Sequence, residues 1–217
     1  MGTLIHGING HFIGKVGDLV GSHRLGKNYI KYTPKISLKP RSEKQLAQQA
    51  KFTLAIRLMH PVLGLLRIGF REQRYPSQAY QVALKHTLKE VIKGDYPNYL
   101  IDYSKIQFSR GSLGGAEGLR LLAGQGCLFI IWNGDGFRMN AYGTDRMHLL
   151  IYEAETGTYL HGPADIQRMQ GAAIMPIPEE LSGKKLQVYS FCASDCRKVS
   201  DTVYAGEISI QSAAAAC

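Results

Sequence analysis

Cys192 and Cys196 lie four residues apart, while Cys127 and Cys217 stand alone, so no second close pair completes a tetrahedral zinc site. The histidines (His6, His11, His23, His60, His86, His148 and His161) fall at spacings that do not pair them as ligands. Neither a metal nor a cofactor is therefore expected. Cys127 and Cys192, inside apolar stretches, read as small core residues, and a Cys192–Cys196 disulfide across a turn is left open for an oxidising compartment. Among the acids, Glu153 and Glu155 share one side of an extended strand and Glu179-Glu180 follows Pro178 in a turn. Glycoside chemistry needs two carboxyls across a cleft with one of them raised in pKa, so these read as solvated charges. Gly111-Ser112-Leu113-Gly114-Gly115 could offer backbone N–H groups to phosphate, but it precedes a strand rather than a helix. Ser182-Gly183-Lys184-Lys185 has neither the glycine spacing nor the hydroxyl of a phosphate-binding loop. With no Gly-x-Ser-x-Gly elbow and no His-Glu-x-x-His helix, no catalytic residue is assigned and an enzyme is not expected.

Cations carry more functional weight. Residues 1–99 hold 16 Lys+Arg against 5 Asp+Glu, and residues 100–217 hold 10 against 12, which together give the net charge of +9. Lys27, Lys31, Lys35, Lys39 and Arg41 are interleaved with Tyr29, Tyr32 and Pro34, a mixture that can track a phosphate backbone and stack bases. Lysine on an exposed strand edge is also a device against unwanted pairing. Hydrophobic residues at 45% and charged residues at 20% exclude a disordered chain. No run reaches the ~20 apolar residues of a membrane helix. The start lacks a basic n-region and an apolar h-region, and His6 stands where the myristoylation pattern wants a hydroxyl, so classical secretion and acylation are not expected.

These groups must be held by elements that the periodicity announces. Gly7, Gly10, Gly14, Gly17 and Gly21 would line a helix face, yet each interior glycine costs a helix about 0.8–1 kcal/mol relative to alanine. Strands over 14–23 and 28–33 fit better, with 24–27 as the turn and Pro34 as the stop. Ser42 with Gln45 makes a capping-box pattern, and Leu46, Ala50, Leu54 and Leu58 recur every four residues, predicting a helix broken at His60-Pro61. A second helix is predicted over 77–93, with Pro76 at its start, Tyr80, Leu84, Leu88 and Val91 as its apolar face and Gly94 as its stop; Lys85, Lys89 and Lys93 line another face.

Beyond residue 98 the period changes to two. Strands are predicted over 104–109, 118–122, 127–133, 146–153, 157–161, 171–177, 185–192 and 199–209, separated by glycine-rich turns, which is the arithmetic of an antiparallel sandwich. Trp132 ends an apolar strand where an immunoglobulin-like sandwich places a core aromatic, and Leu181 with Tyr189 is similar to the leucine–tyrosine corner of fibronectin type III modules. The expected core is Leu46, Leu54, Leu58, Tyr80, Leu84, Leu88, Phe129, Ile131, Trp132, Leu150 and Tyr189.

Several segments resemble one family. They are Gly14-Lys15-Val16-Gly17 with Val20-Gly21, Pro40-x-x-Glu43-Lys44-Gln45, Gly94-Asp95-Tyr96-Pro97-Asn98, Ile101-Asp102-Tyr103-Ser104-Lys105 with Ser109-Arg110-Gly111, and Val199-Ser200-Asp201-Thr202-Val203-Tyr204-Ala205-Gly206. Together they resemble an uncharacterised bacterial domain of unknown function, known mainly from Bacteroidota. The resemblance covers nearly the whole chain except the tail 211–217. It implies N-terminal strands and helices followed by a sandwich, and it brings no activity or catalytic residue.

The expectation is an α+β chain: a basic glycine-rich β-ribbon plus two to three helices over 1–99, then an Ig/FnIII-like antiparallel β-sandwich over 100–217. A two-stranded ribbon is marginal by itself and offers open backbone edges. The leading functional expectation is thus a non-enzymatic structural protein that self-assembles as a filament, tube or phage-tail-like polymer, made without a classical signal and released as an assembly. Its contact residues would be Gly14, Val16, Gly17, Leu19, Val20, Gly21, Tyr29, Ile30 and Tyr32, and its partner another copy of itself. The alternative is a module for nucleic acid or another polyanion, using Lys27, Lys31, Lys35, Lys39 and Arg41.

Overall fold

Gly17 and Gly26 adopt left-handed backbone angles (φ 58° and 74°) and turn the N-terminal segment twice. Strands β1 (Thr3–Leu4), β2 (Phe12–Val16), β3 (Leu19–Arg24) and β4 (Lys27–Tyr32) form one antiparallel sheet in sequence order. The strand expected over 14–23 is therefore two strands. Val16 pairs with Leu19 across the two-residue loop Gly17-Asp18, a hairpin geometry that glycine permits at little steric cost. This structure, a computed structural model, describes residues 2–4, 10–24, 26–35, 39–72, 78–134 and 140–210. The expectations for His6, Leu25, Pro76, Ser77, Cys217 and the tail 211–217 lie outside the described residues.

The chain divides into two units, Met1–Ser42 and Glu43–Cys217. The boundary expected after residue 99 is thus displaced to residue 42, because the helices share a core with the sandwich. In the second unit α1 (Glu43–Met59) stops where expected: Pro61 has no N–H to continue the ladder, and α2 (Leu63–Gly69) departs at 79°. Helix α3 (Ala79–His86) ends in a π turn (Thr87–Val91), two residues before the predicted helix end at Lys93, and short strands β5 (Ile92–Lys93) and β6 (Leu100–Ile101) pair across Gly94. No single helix among the described residues is long and apolar enough to cross a membrane.

Seven of the eight predicted C-terminal strands form. They are β7 (Arg120–Ala123), β8 (Cys127–Ile131), β9 (Arg146–Glu153), β10 (Tyr159–His161), β11 (Ala172–Pro176), β12 (Lys185–Ala193) and β13 (Val203–Ser209). They make a three-stranded sheet, β11-β8-β7, and a four-stranded sheet, β10-β9-β12-β13. This is the expected α+β architecture with an Ig/FnIII-like sandwich. The exception is 104–109, whose Phe108 and Ser109 N–H groups both donate to Thr202 Oγ1 at 2.8 Å instead of joining a ladder.

Both faces of the four-stranded sheet are covered. Met147, Leu149, Ile151, Leu186, Val188 and Cys192 meet Leu128, Ile130, Trp132 and Met175 between the sheets. Leu150, Tyr152, Tyr189 and Phe191, on the opposite face, meet Leu58, Leu66, Phe70 and Ala83 of the helices. A strand covered on both sides tends to a continuous apolar run, as Leu149–Tyr152 of β9 shows, while β12 interrupts its run at Gln187 and Ser190. Tyrosines suit this layer because an apolar ring carries a polar tip. Tyr159 donates its hydroxyl to the Leu58 carbonyl at 2.7 Å, one of the carbonyls that the end of α1 leaves unpaired, and Tyr189 donates to Tyr103 O at 2.9 Å.

Leu58, Leu84, Trp132, Leu150 and Tyr189 are buried as expected, and Leu54, Tyr80 and Leu88 are half-buried. Three expectations are corrected. Leu46 is exposed, because α1 turns Ala55, Leu58 and Met59 inward further along. Phe129 and Ile131 are exposed, because Leu128 and Ile130 take the inner face of β8. Leu181 and Tyr189 do not share a corner: Leu181 packs between the sheets and Tyr189 against the helical layer.

Candidate functional site

Cross-strand register gives the N-terminal sheet two chemically different faces. The pairs Val16↔Leu19, Leu19↔Tyr32, Gly14↔Gly21 and Gly21↔Ile30 align six positions on one side. Leu4↔Phe12 extends that side on β1 and β2. Apart from Asn28 and His23, which hydrogen-bond each other at 2.6 Å, and His11, whose ring stacks on His23 with centroids 4.7 Å apart, this face is apolar. Ile30 is 64% exposed and Tyr32 77%, and Leu4, Val16 and Leu19 are exposed beside them. By alternation the other side carries Ile13, Lys15, Val20, Ser22, Arg24, Lys27, Tyr29 and Lys31. Residues 1–42 hold seven Lys+Arg against a single Asp, so this second face is basic.

The expected assembly residues are thus partly regrouped. Gly14, Val16, Leu19, Gly21, Ile30 and Tyr32 share the apolar face; Val20 and Tyr29 lie on the basic one; Gly17 sits in the hairpin loop. Of the polyanion candidates, Lys27 and Lys31 are on the basic face, while Lys35, Lys39 and Arg41 are exposed beyond the end of β4. Two of the glycines differ in what surrounds them within the chain. Gly17 has a positive φ and open space around it; a Cβ on Gly21 would run into the Phe12 carbonyl and lie 2.7 Å from its ring. Phe12, on the neighbouring strand, fills that space itself.

A second apolar surface, on the outer face of β11-β8-β7, was not singled out from the sequence. The rows Leu122↔Phe129↔Ile174 and Arg120↔Ile131↔Ala172 run straight across the three strands. Leu122 is 53% exposed and Ile174 58%, with Phe129 and Ile131 exposed between them. The signal was present in the unbroken apolar run Cys127–Ile131, which asks for a cover on both faces.

The groups weighed for catalysis have structural partners. The N–H groups of the 111–115 loop are taken: Gly111 by Asp201 Oδ1 at 3.1 Å, Ser112 by Glu72 Oε2 at 3.1 Å, Leu113 by Val199 O at 2.9 Å and Gly114 by Asn140 O at 3.3 Å. The loop's carbonyls at Gly114 and Gly115 accept from the buried Arg168 guanidinium, whose Nε lies 3.4 Å from buried Asp145. Glu153 is buried, not solvated as expected: burial pushes its carboxyl up, but the Thr156 hydroxyl and N–H and the Glu155 N–H hold it below the ordinary range. It closes the turn after β9 instead of facing Glu155 across a cleft.

Cys192 is buried between the sheets, where desolvation raises its thiol to about 11, while Cys196 is exposed in a turn; both are free, so the disulfide left open is not formed. Among the described residues no three His, Cys, Asp or Glu side chains group to hold a metal ion. His148 stacks on Phe191 with ring centroids 4.7 Å apart. Its imidazole is lowered to about 4, by burial first and then by the charges of Arg71 and Arg146.

A family model described as "Family of unknown function (DUF6266)" matches residues 11–206. No curated protein matches the chain. The solution structure of the fn3 domain of human collagen alpha-1(XX) chain is similar to 50% of this chain over 97% of its own, at 14% identity and a TM-score of 0.39. That of the fn3 domain of human contactin 1 is similar to 50% of this chain over 87% of its own, at 8% identity and a TM-score of 0.33.

Proposed function

The chain belongs to this Family of unknown function (DUF6266), and we propose that it is a non-enzymatic structural protein that assembles with copies of itself through the apolar face of its N-terminal sheet. The observation that supports this reading is the exposed cross-strand block Val16, Leu19, Ile30 and Tyr32. Burying one such side chain from full exposure contributes about 1.5–3 kcal/mol, and since these four are on average a little over half exposed, covering them contributes roughly 3–7 kcal/mol. Association opposes this with about 4–15 kcal/mol of lost translational and rotational freedom. One face by itself is therefore marginal. The outer face of β11-β8-β7 supplies a second one of the same kind, and the occupant we assign to it is the N-terminal sheet of the next copy. Two different faces meeting head to tail build an open polymer or a ring instead of a closed two-fold dimer.

The basic face favours a second reading, binding of nucleic acid or another polyanion through Lys15, Lys27 and Lys31 with Tyr29. Because the two faces are opposite, the readings separate. Light scattering and negative-stain microscopy of the full chain should show particles that persist in salt. Val16→Lys with Ile30→Lys should abolish them and leave heparin retention intact. Lys27→Glu with Lys31→Glu should leave the particles and abolish retention. A strict monomer for the unaltered chain at high concentration refutes the assembly reading.

A further inference from the structure

Independently of assembly, the second unit carries a cleft of about 760 Å³ between α3 with its π turn and the segment 104–110. Phe70, Val82 and Ile106 supply apolar walls; besides Lys105 on the facing segment, Lys85, Lys89 and Arg110 supply cations. These three cations have no carboxylate within 4.0 Å among the described residues. Nearby acid is already engaged: Asp102 accepts from Lys93 Nζ and Ser104 Oγ, each at 2.6 Å. Glu90 is the carboxylate that also lines the cleft.

Two features set this apart from an ordinary solvated face. Lys85 and Lys89 are one helical turn apart, a like-charge arrangement that weakens a bare helix. They also stand on a ridge, since a second groove of about 460 Å³, lined by Lys51 and Leu88, lies against the same two lysines. The π turn begins at Thr87 and carries Lys89, and such single turns recur at functional sites. Across the cleft, His86 Nε2 is tied to Lys105 O at 3.0 Å, which joins the helix to the facing segment.

We infer that this cleft binds a phosphate monoester with a compact apolar body, its phosphoryl group on Lys85, Lys89 and Arg110 and its body against Phe70, Val82 and Ile106. Four cations line the cleft against the single carboxylate of Glu90, an excess that calls for more than one negative charge, which a phosphate monoester carries near neutral pH and a simple carboxylate does not. Lysines approach it as point charges and arginine as a fork.

The test is calorimetric titration of the full chain, at constant ionic strength, with phenyl phosphate, inorganic phosphate and benzoate. Phenyl phosphate should bind more tightly than either of the others, and Lys85→Gln with Lys89→Gln should weaken it roughly tenfold or more. Lys27→Gln with Lys31→Gln, on the N-terminal sheet, should leave it unchanged. Phenyl phosphate should also shift the His86 ring resonances of the unaltered protein, a measurement that needs no variant. The inference is overturned by absence of binding, by benzoate matching phenyl phosphate, by inorganic phosphate matching it, by indifference to the cleft variant, or by unmoved His86 resonances.

Discussion

His148 makes the stability of the second unit depend on pH in a defined window. Its ring lies on the helix-facing side of β9 against Phe191, with Arg71 and Arg146 acting on it. Burial first, and those two charges next, lower its pKa from 6.5 to about 4. Between these values the unfolded chain binds a proton that the folded chain refuses. The contribution is fully present above about pH 6.5, falls as pH falls, and is gone below about pH 4. At 1.36 kcal/mol per unit the full shift is about 3 kcal/mol, and partial exposure of the ring reduces this to about 2 kcal/mol. Urea unfolding between pH 7.5 and 4.5 measures it, followed by the fluorescence of Trp132, the single tryptophan, which is buried between the sheets. His148→Phe keeps an aromatic on Phe191 and removes the titration. Its stability should decline less than that of the unaltered protein over this range, by about 2 kcal/mol. Identical pH profiles for the two proteins, or a His148 resonance titrating near pH 6.5, would refute the reasoning.

Two other substitutions address the units separately. Gly21→Ala forces a Cβ into the Phe12 carbonyl and ring, so the N-terminal sheet should lose about 1–3 kcal/mol, read as lost amide-exchange protection over residues 12–24, while Trp132-monitored unfolding stays unchanged. Asp145→Ala strands the Arg168 guanidinium, which is buried and holds the Gly114 and Gly115 carbonyls. The second unit should lose about 3–5 kcal/mol by urea unfolding, and the Trp132 emission should shift because its Nε1 donates to Arg168 O at 2.7 Å.

Much of the sandwich was legible because strands and turns alternate on a local code. Glycines at 124, 126, 157 and 171 separate period-two segments, and seven strands fall where those segments do. What was not legible is orientation. In Cys127–Ile131 every residue is apolar, so alternation cannot say whether Leu128 and Ile130 or Phe129 and Ile131 point inward. In β12 the same ambiguity hid that Tyr189 belongs to the helical layer, and with it the fusion of helices and sandwich into one unit. The helix face was misjudged for a related reason: a four-residue repeat drifts around a 3.6-residue helix, so Leu46 and Leu58 cannot both stay on the buried side.

The candidate surfaces depended on a single misread turn. With 14–23 as one strand, Lys15, Val16, Leu19 and Val20 alternate without reference to a partner, and apolar and basic residues look interleaved. Once Gly17-Asp18 folds the strand back, Val16 meets Leu19 and Lys15 meets Val20, and the residues sort into an apolar face and a basic face. A shift of one residue exchanges the two faces of a strand, so composition predicted both readings but not their separation. The same logic supports the assembly proposal. The four-stranded sheet is apolar on two faces and has two covers, the second sheet and the helices. The three-stranded sheet and the N-terminal sheet each carry an apolar face exposed to solvent. Faces of that composition are stable in water when something covers them, and two of them on one chain can cover each other between neighbouring copies.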